Sequence, residues 1–157
     1  MTATLRTFFA VDLPDLQRER VAALQDELRA QGLAARWVPA ANLHLTLKFL
    51  GAVPVARLAA IQDAAAAALA DRAPIALSLV GLGVFPHLGR PRVLWVGVEG
   101  ETARLVDLQQ GLEAALAAVG CAPENRPFQS HLTIARFKEA VPPVRVAAAL
   151  EAFRAFT

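Results

Sequence analysis

Residues 42–51, NLHLTLKFLG, decide the fold, because their opening returns near the other end of the chain at residues 130–136 as SHLTIAR. His44-Leu45-Thr46-Leu47 and His131-Leu132-Thr133-Ile134 have the same order: histidine, aliphatic, threonine, aliphatic. Both read as strands, in which successive side chains point to opposite faces. His44 and Thr46 then share one face and Leu45 and Leu47 the other, and the second copy repeats the division. The aliphatic faces can enter a core. The His/Thr faces need polar surroundings, and one site receiving both is the economical solution. A lone histidine in an apolar strand is most often a packing or surface residue, but two of only three histidines fall in these tetrapeptides.

Working outward, residues 5–12 read as a first strand, stopped at Leu13-Pro14 because proline fixes its own φ and biases the residue before it to extended geometry. Leu16, Val21, Leu24 and Leu28 recur at helical spacing over residues 14–30, with Gly32 as C-cap. Residues 36–38 and 43–50 read as extended, and an alanine-rich helix over 55–70 ends before Pro74. Residues 75–80 and 92–98 read as strands, separated by a turn at residues 81–83. Leu105, Leu108, Leu112, Leu116 and Val119 line one side of a helix over 102–119. A loop at 123–128, a strand over 131–137 and a short helix over 142–153 complete the chain. The order β, α, β, α, β, β, α, β, α predicts an α+β sheet domain. The echo predicts two halves of related architecture, each donating one histidine-bearing strand.

A chain of 157 residues has room for one compact domain, taken as residues 1–157. It is 55% hydrophobic, yet no run approaches the roughly 18 apolar residues of a spanning helix, and Asp63 and Asp71 flank the alanines at 64–68. The opening MTATLRTFFAVD runs straight into a strand and reaches Asp12, unlike a leader. A cytoplasmic monomer without membrane contact is therefore expected. Cys121 stands alone, so no internal disulfide forms, and no Cys/His spacing matches a zinc site. Sixteen basic against fourteen acidic side chains exclude the strongly basic class that grips long duplexes. A nucleic-acid substrate would be a terminus or a short strand.

The paired histidines have a specific chemical use. In-line displacement at phosphorus needs a proton taken from the attacking oxygen and a proton given to the leaving oxygen opposite. Two imidazoles flanking one phosphate do both, since a pKa of about 6.5 lets one ring be neutral and the other charged near neutral pH. Threonine hydroxyls two positions on can donate to non-bridging oxygens. The arrangement requires no metal and no cofactor, and no carboxylate cluster stands out to hold a metal. Elsewhere, His87 reads as an exposed loop residue and Phe9 as either a base-stacking or a core ring. Phe8, Trp37 and Trp95 read as core, Lys48 as surface or rim charge, Arg126 as a phosphate contact or a loop cap, and Cys121 as incidental.

At these residues the chain resembles the 2H phosphoesterases, specifically the bacterial RNA 2',3'-cyclic phosphodiesterases also called 2'-5' RNA ligases. The resemblance runs through RTFFAVDLP at residues 6–14, Trp37-Val38, NLHLTLKFLG at 42–51, residues 81–85, RVLWVG at 92–97 and NRPFQSHLTIAR at 125–136. It implies a bilobal α+β fold of two antiparallel sheets related by pseudo-twofold symmetry, with outer helices and a central cleft. It also implies that His44 gives a proton to the departing 3' oxygen while His131 activates water, roles that the symmetry of the motifs leaves open. The substrate implied is RNA ending in a 2',3'-cyclic phosphate, tRNA fragments among the candidates, and the reverse reaction is 2'-5' ligation. Thr46 and Thr133 match the phosphate-binding hydroxyls, and Arg136 matches an arginine beside the substrate, suited to phosphate pairing and base stacking. Phe49 takes that offset in the first motif. Ser130 departs from the proline common before the second motif, and residues 153–157 resemble the approach to further strands, so the family's last C-terminal strands are expected to be missing. Two other readings share these residues: a cyclic phosphodiesterase acting on a small nucleotide, and a non-catalytic module binding RNA ends.

Overall fold

Strand β1 spans Thr4–Asp12 and ends where Leu13-Pro14 turns the chain into helix α1, Asp15–Ala30, whose first turn carries Asp15 against the positive end of the helix dipole. There follow β2 (Arg36–Trp37), a 3₁₀ turn (Ala40–Asn42), β3 (His44–Pro54), a second 3₁₀ turn (Val55–Arg57), α2 (Leu58–Leu69), β4 (Leu77–Phe85), β5 (Val93–Gly100), α3 (Thr102–Ala118), β6 (His131–Arg136) and α4 (Pro143–Ala152). The computed structural model describes residues 2–157. Among them the fold is α+β: four α-helices and two antiparallel sheets, ordered β1-β3 and β2-β6-β5-β4.

The chain divides into two compact units, each assembled from separate stretches of sequence. One comprises Val11–Leu45, Ser78–Glu99 and His131–Thr157. Its core joins Val21, Leu24 and Leu28 of α1 and Val146 and Ala149 of α4 to Leu94 and Val96 of β5 and Leu132, Ile134 and Ala135 of β6. Full burial of each large aliphatic side chain contributes about 1.5–3 kcal/mol. In this sheet β6 is central, pairing antiparallel with β2 (Trp37 opposite Ala135) and with β5 (Gly97 opposite His131).

The other unit comprises the N-terminal residues through Ala10, Thr46–Leu77 and Gly100–Ser130. Here α2 packs on α3, and Ile61, Ala65, Leu105, Leu112 and Leu116 are buried together with Leu47 and Val53 of β3. Glu101, just ahead of α3, accepts hydrogen bonds from the Ala76 N–H and from Arg104, both at 2.8 Å. The backbone bond first, and Arg104 second, hold its carboxyl below the usual carboxylate range.

The elements follow the sequence reading with four corrections. Strand β4 continues through residues 81–83, where a turn was expected, and stops at Phe85. Gly83 serves close approach: a Cβ there would lie 2.1 Å from the Trp95 ring. Strand β3 runs on to Pro54, past Gly51 in the left-handed region (φ 71°). Phe8 is 43% exposed rather than core, while Phe9 on the opposite face is half-buried. Trp37 packs against the core as expected, but Trp95 lies on the opposite face of β5 from the buried Leu94 and Val96. Among the described residues no helix is long and apolar enough to cross a membrane.

Candidate active site

Alternation along β6 is interrupted. Val93 pairs with Arg136, Leu94 with Ala135 and Trp95 with Thr133, so Ile134 is an extra residue and the strand carries a β-bulge. Ile134 and Ala135 are consequently both buried, and the phase of the strand shifts beyond them. Strict alternation would have put Arg136 on the face of Leu132 and Ile134. With the bulge, His131, Thr133 and Arg136 are the residues of β6 outside the core. The first motif has the same order of burial: Leu45, Leu47 and Lys48 are buried, while His44, Thr46 and Phe49 are not. Each motif thus presents a histidine, a threonine and, three positions after the threonine, one large side chain. That side chain is Phe49 in one copy and Arg136 in the other.

His44 begins β3 one residue beyond the first 3₁₀ turn, and its Nδ1 lies 2.6 Å from the carbonyl of Asn42. A carbonyl only accepts, so Nδ1 carries a proton and Nε2 is the nitrogen at which this ring gains or loses one. The turn is held from below by Arg18, which sequence reading passed over as a charge between the apolar positions of α1. Its guanidinium donates to the carbonyls of Ala40 (2.9 Å), Leu43 (3.3 Å) and Leu13 (3.0 Å), tying the end of β1 to both sides of Asn42.

His131 sits among aromatic rings. Phe85 meets it edge to face at 4.8 Å between centroids, Trp95 lies 6.2 Å away, and Phe85 and Trp95 are 5.2 Å apart. Trp95 opposes Thr133 across the ladder, so indole, threonine and histidine share a face. The indole Nε1 is buried and without a hydrogen-bond partner.

Lys48 corrects the expectation of a surface or rim charge: it is 6% exposed, and its Nζ donates to Glu113 Oε1 (2.5 Å) and the Ala122 carbonyl (2.8 Å). The same Glu113 oxygen accepts the Glu124 N–H at 2.7 Å, so the pair fastens the loop that leads toward the second motif. Arg126 in that loop is exposed, with its own N–H on Glu124. His87 is an exposed loop residue, and Cys121 is a free, half-buried thiol. Arg6 lies over the Phe49 ring at 4.7 Å. Among the described residues no three His, Cys, Asp or Glu side chains are grouped so as to hold a metal ion.

The α+β fold and the two His-x-Thr strands define the class as a 2H-type phosphoesterase. The family model described as LigT like Phosphoesterase matches residues 11–95 and 96–157, and the chain belongs to that family of enzymes. A curated relative from Methanothermobacter thermautotrophicus, named RNA 2',3'-cyclic phosphodiesterase, is 37% identical over 134 residues, covering 85% of this chain and 72% of that protein. The Escherichia coli protein of the same name is 36% identical over 139 residues, covering 87% of this chain and 74% of its own. Among solved structures, E. coli LigT complexed with 3'-AMP superposes with a TM-score of 0.69 at 35% identity, over 88% of this chain and 77% of that one.

Proposed function

We propose that this chain hydrolyses RNA 2',3'-cyclic phosphate ends to 2'-phosphates with His44 and His131 as its acid–base pair. The observation that carries the reading is the common burial phase of the two motifs, which twice in one chain turns a histidine and a threonine away from the buried aliphatic residues between and beside them. The names of the relatives support the substrate class. In the proposed step His131 takes a proton from water as its oxygen attacks phosphorus. The bond from phosphorus to the 3' oxygen breaks, and His44 delivers the Nε2 proton to that oxygen. The products are a 2'-phosphate and a 3'-hydroxyl, and proton exchange with solvent restores both rings. Thr46 and Thr133 donate to the non-bridging oxygens, where negative charge accumulates. Arg136 pairs with phosphate or stacks on the terminal base, and Phe9 offers a ring to a base. With the 5'-hydroxyl of a second RNA replacing water, the same transfers give a 2'-5' linkage, a minor outcome in water. Two imidazoles supply both proton transfers, so the reading needs neither metal nor cofactor.

The test is hydrolysis of an oligoribonucleotide bearing a 2',3'-cyclic phosphate, run beside cyclic mononucleotides, with and without EDTA. A 2'-phosphate product, undiminished by EDTA, is expected. Binding without turnover would identify an RNA-end binding module, preference for the mononucleotides a small-nucleotide enzyme, and loss with EDTA a metal-dependent one.

A further inference from the structure

Two buried amides occupy equivalent places in the two units. Gln25 of α1, 4% exposed, lies in the stripe formed by Val21, Leu24 and Leu28, and Gln109 of α3, 6% exposed, lies between Leu105 and Leu112. A polar side chain in the apolar stripe of a helix is costly unless its hydrogen bonds are made. Both amides make theirs to the main chain of a motif strand. Gln25 Nε2 donates to the Ile134 carbonyl at 2.9 Å and to the Val38 carbonyl at 2.8 Å, and the Val38 N–H also reaches Ile134 O at 2.9 Å. Gln109 Nε2 donates to the Leu47 carbonyl at 3.3 Å. Leu47 stands three residues after His44, and Ile134 three after His131. These are the positions at which burial stops alternating, and Ile134 is the bulged residue.

We infer that Gln25 and Gln109 are equivalent positioning residues, each fixing the main chain at the phase shift of its motif strand. Gln25 thereby keeps Arg136, and Gln109 keeps Phe49, on the same face as the histidine and threonine of that strand. A bulge leaves ladder groups unpaired, and a strand free to return to regular alternation would carry Arg136 toward the core face. The bonds from the helix amides remove that freedom. The activity readout of this inference rests on the proposed hydrolysis, and a second readout does not.

Gln25→Met keeps length and apolar packing while deleting both donors. On a cyclic-phosphate-ended oligonucleotide it is expected to lower kcat/KM about 10- to 100-fold, the scale of a misplaced contact. In an Arg136→Ala background it is expected to cost little more, because the residue it positions is gone. Hydrogen exchange at the amides of Ala135 and Arg136 is expected to accelerate, whether or not the protein turns over substrate. Gln109→Met should behave in the same way toward Phe49→Ala, and it carries the test if Gln25→Met does not fold. An equal loss in both backgrounds, or unchanged kcat/KM with unchanged exchange in a folded variant, would overturn the inference. Absence of hydrolysis by the unsubstituted chain would instead sink the proposed function and leave the exchange measurement to decide this one.

Discussion

A charge at Lys48 lies where a leucine would pack, four residues after His44 on the same strand. Its side chain is 4% exposed and meets a Glu113 side chain that is 18% exposed, and the second Glu113 oxygen is buried without a partner. Such a pair is a poor source of net stability, since desolvation offsets most of the attraction, but breaking it strands a charge. Lys48→Met is therefore expected to destabilise by on the order of 3 kcal/mol, read as a lowered denaturant midpoint. Adding Glu113→Leu should recover most of the loss while leaving the 122–124 loop without its anchor. A double variant no more stable than the single would show that the ion pair itself holds the fold. At the same scale, the bond from His44 Nδ1 to the Asn42 carbonyl assigns the working nitrogen, and Arg18 holds the backbone on either side of Asn42 through the carbonyls of Ala40 and Leu43.

Among the elements, β4 and β5 meet through a contact that leaves no space for a methyl group. The Trp95 ring lies on Gly83 and touches Phe85 and His131 in turn. Gly83→Ala is expected to cost about 1–3 kcal/mol as an overpacked position and to shift Trp95 fluorescence. If the fluorescence and the unfolding midpoint both stay unchanged, the indole does not depend on that gap. This contact also shows what was legible beforehand. Helix positions followed from apolar spacing, and the faces of His44, Thr46, His131 and Thr133 from strand parity, because both periods are local properties of the chain. Gly83 was misread as a turn because glycine marks turns and close approaches alike, and Trp95 lies twelve residues further along. The bulge at Ile134 was invisible for a related reason: it is defined by the partner strand. Lys48 was misplaced because its acidic partner lies 65 residues away. Helical spacing marked only the apolar positions of α1, so Arg18 and Gln25 drew no reading: what they do depends on carbonyls outside the helix.

For the molecule as a whole, each compact unit is built from stretches that alternate along the sequence. The two motif strands therefore fall far apart in the chain, although His44 and His131 belong to the same unit. A formal charge of +2 gives no long-range grip on a polyanion. Binding of a cyclic-phosphate-ended RNA is thus expected to depend only weakly on salt. The slope of log affinity against log salt should be about −1.4 to −2.1, as for two or three phosphates of a single strand. A steep slope would indicate an extended track across the surface in place of capture at the end.

The most direct test of the two-histidine account is the hydrolysis rate of a 2',3'-cyclic-phosphate-ended oligonucleotide by His44→Ala and His131→Ala, each compared with the unsubstituted chain across pH. Each variant is expected to lose at least about 100-fold in kcat while unfolding at a normal midpoint. The unsubstituted rate should rise and fall as a bell, since one ring must be charged while the other is neutral. Either variant turning over at the unsubstituted rate would contradict the account outright.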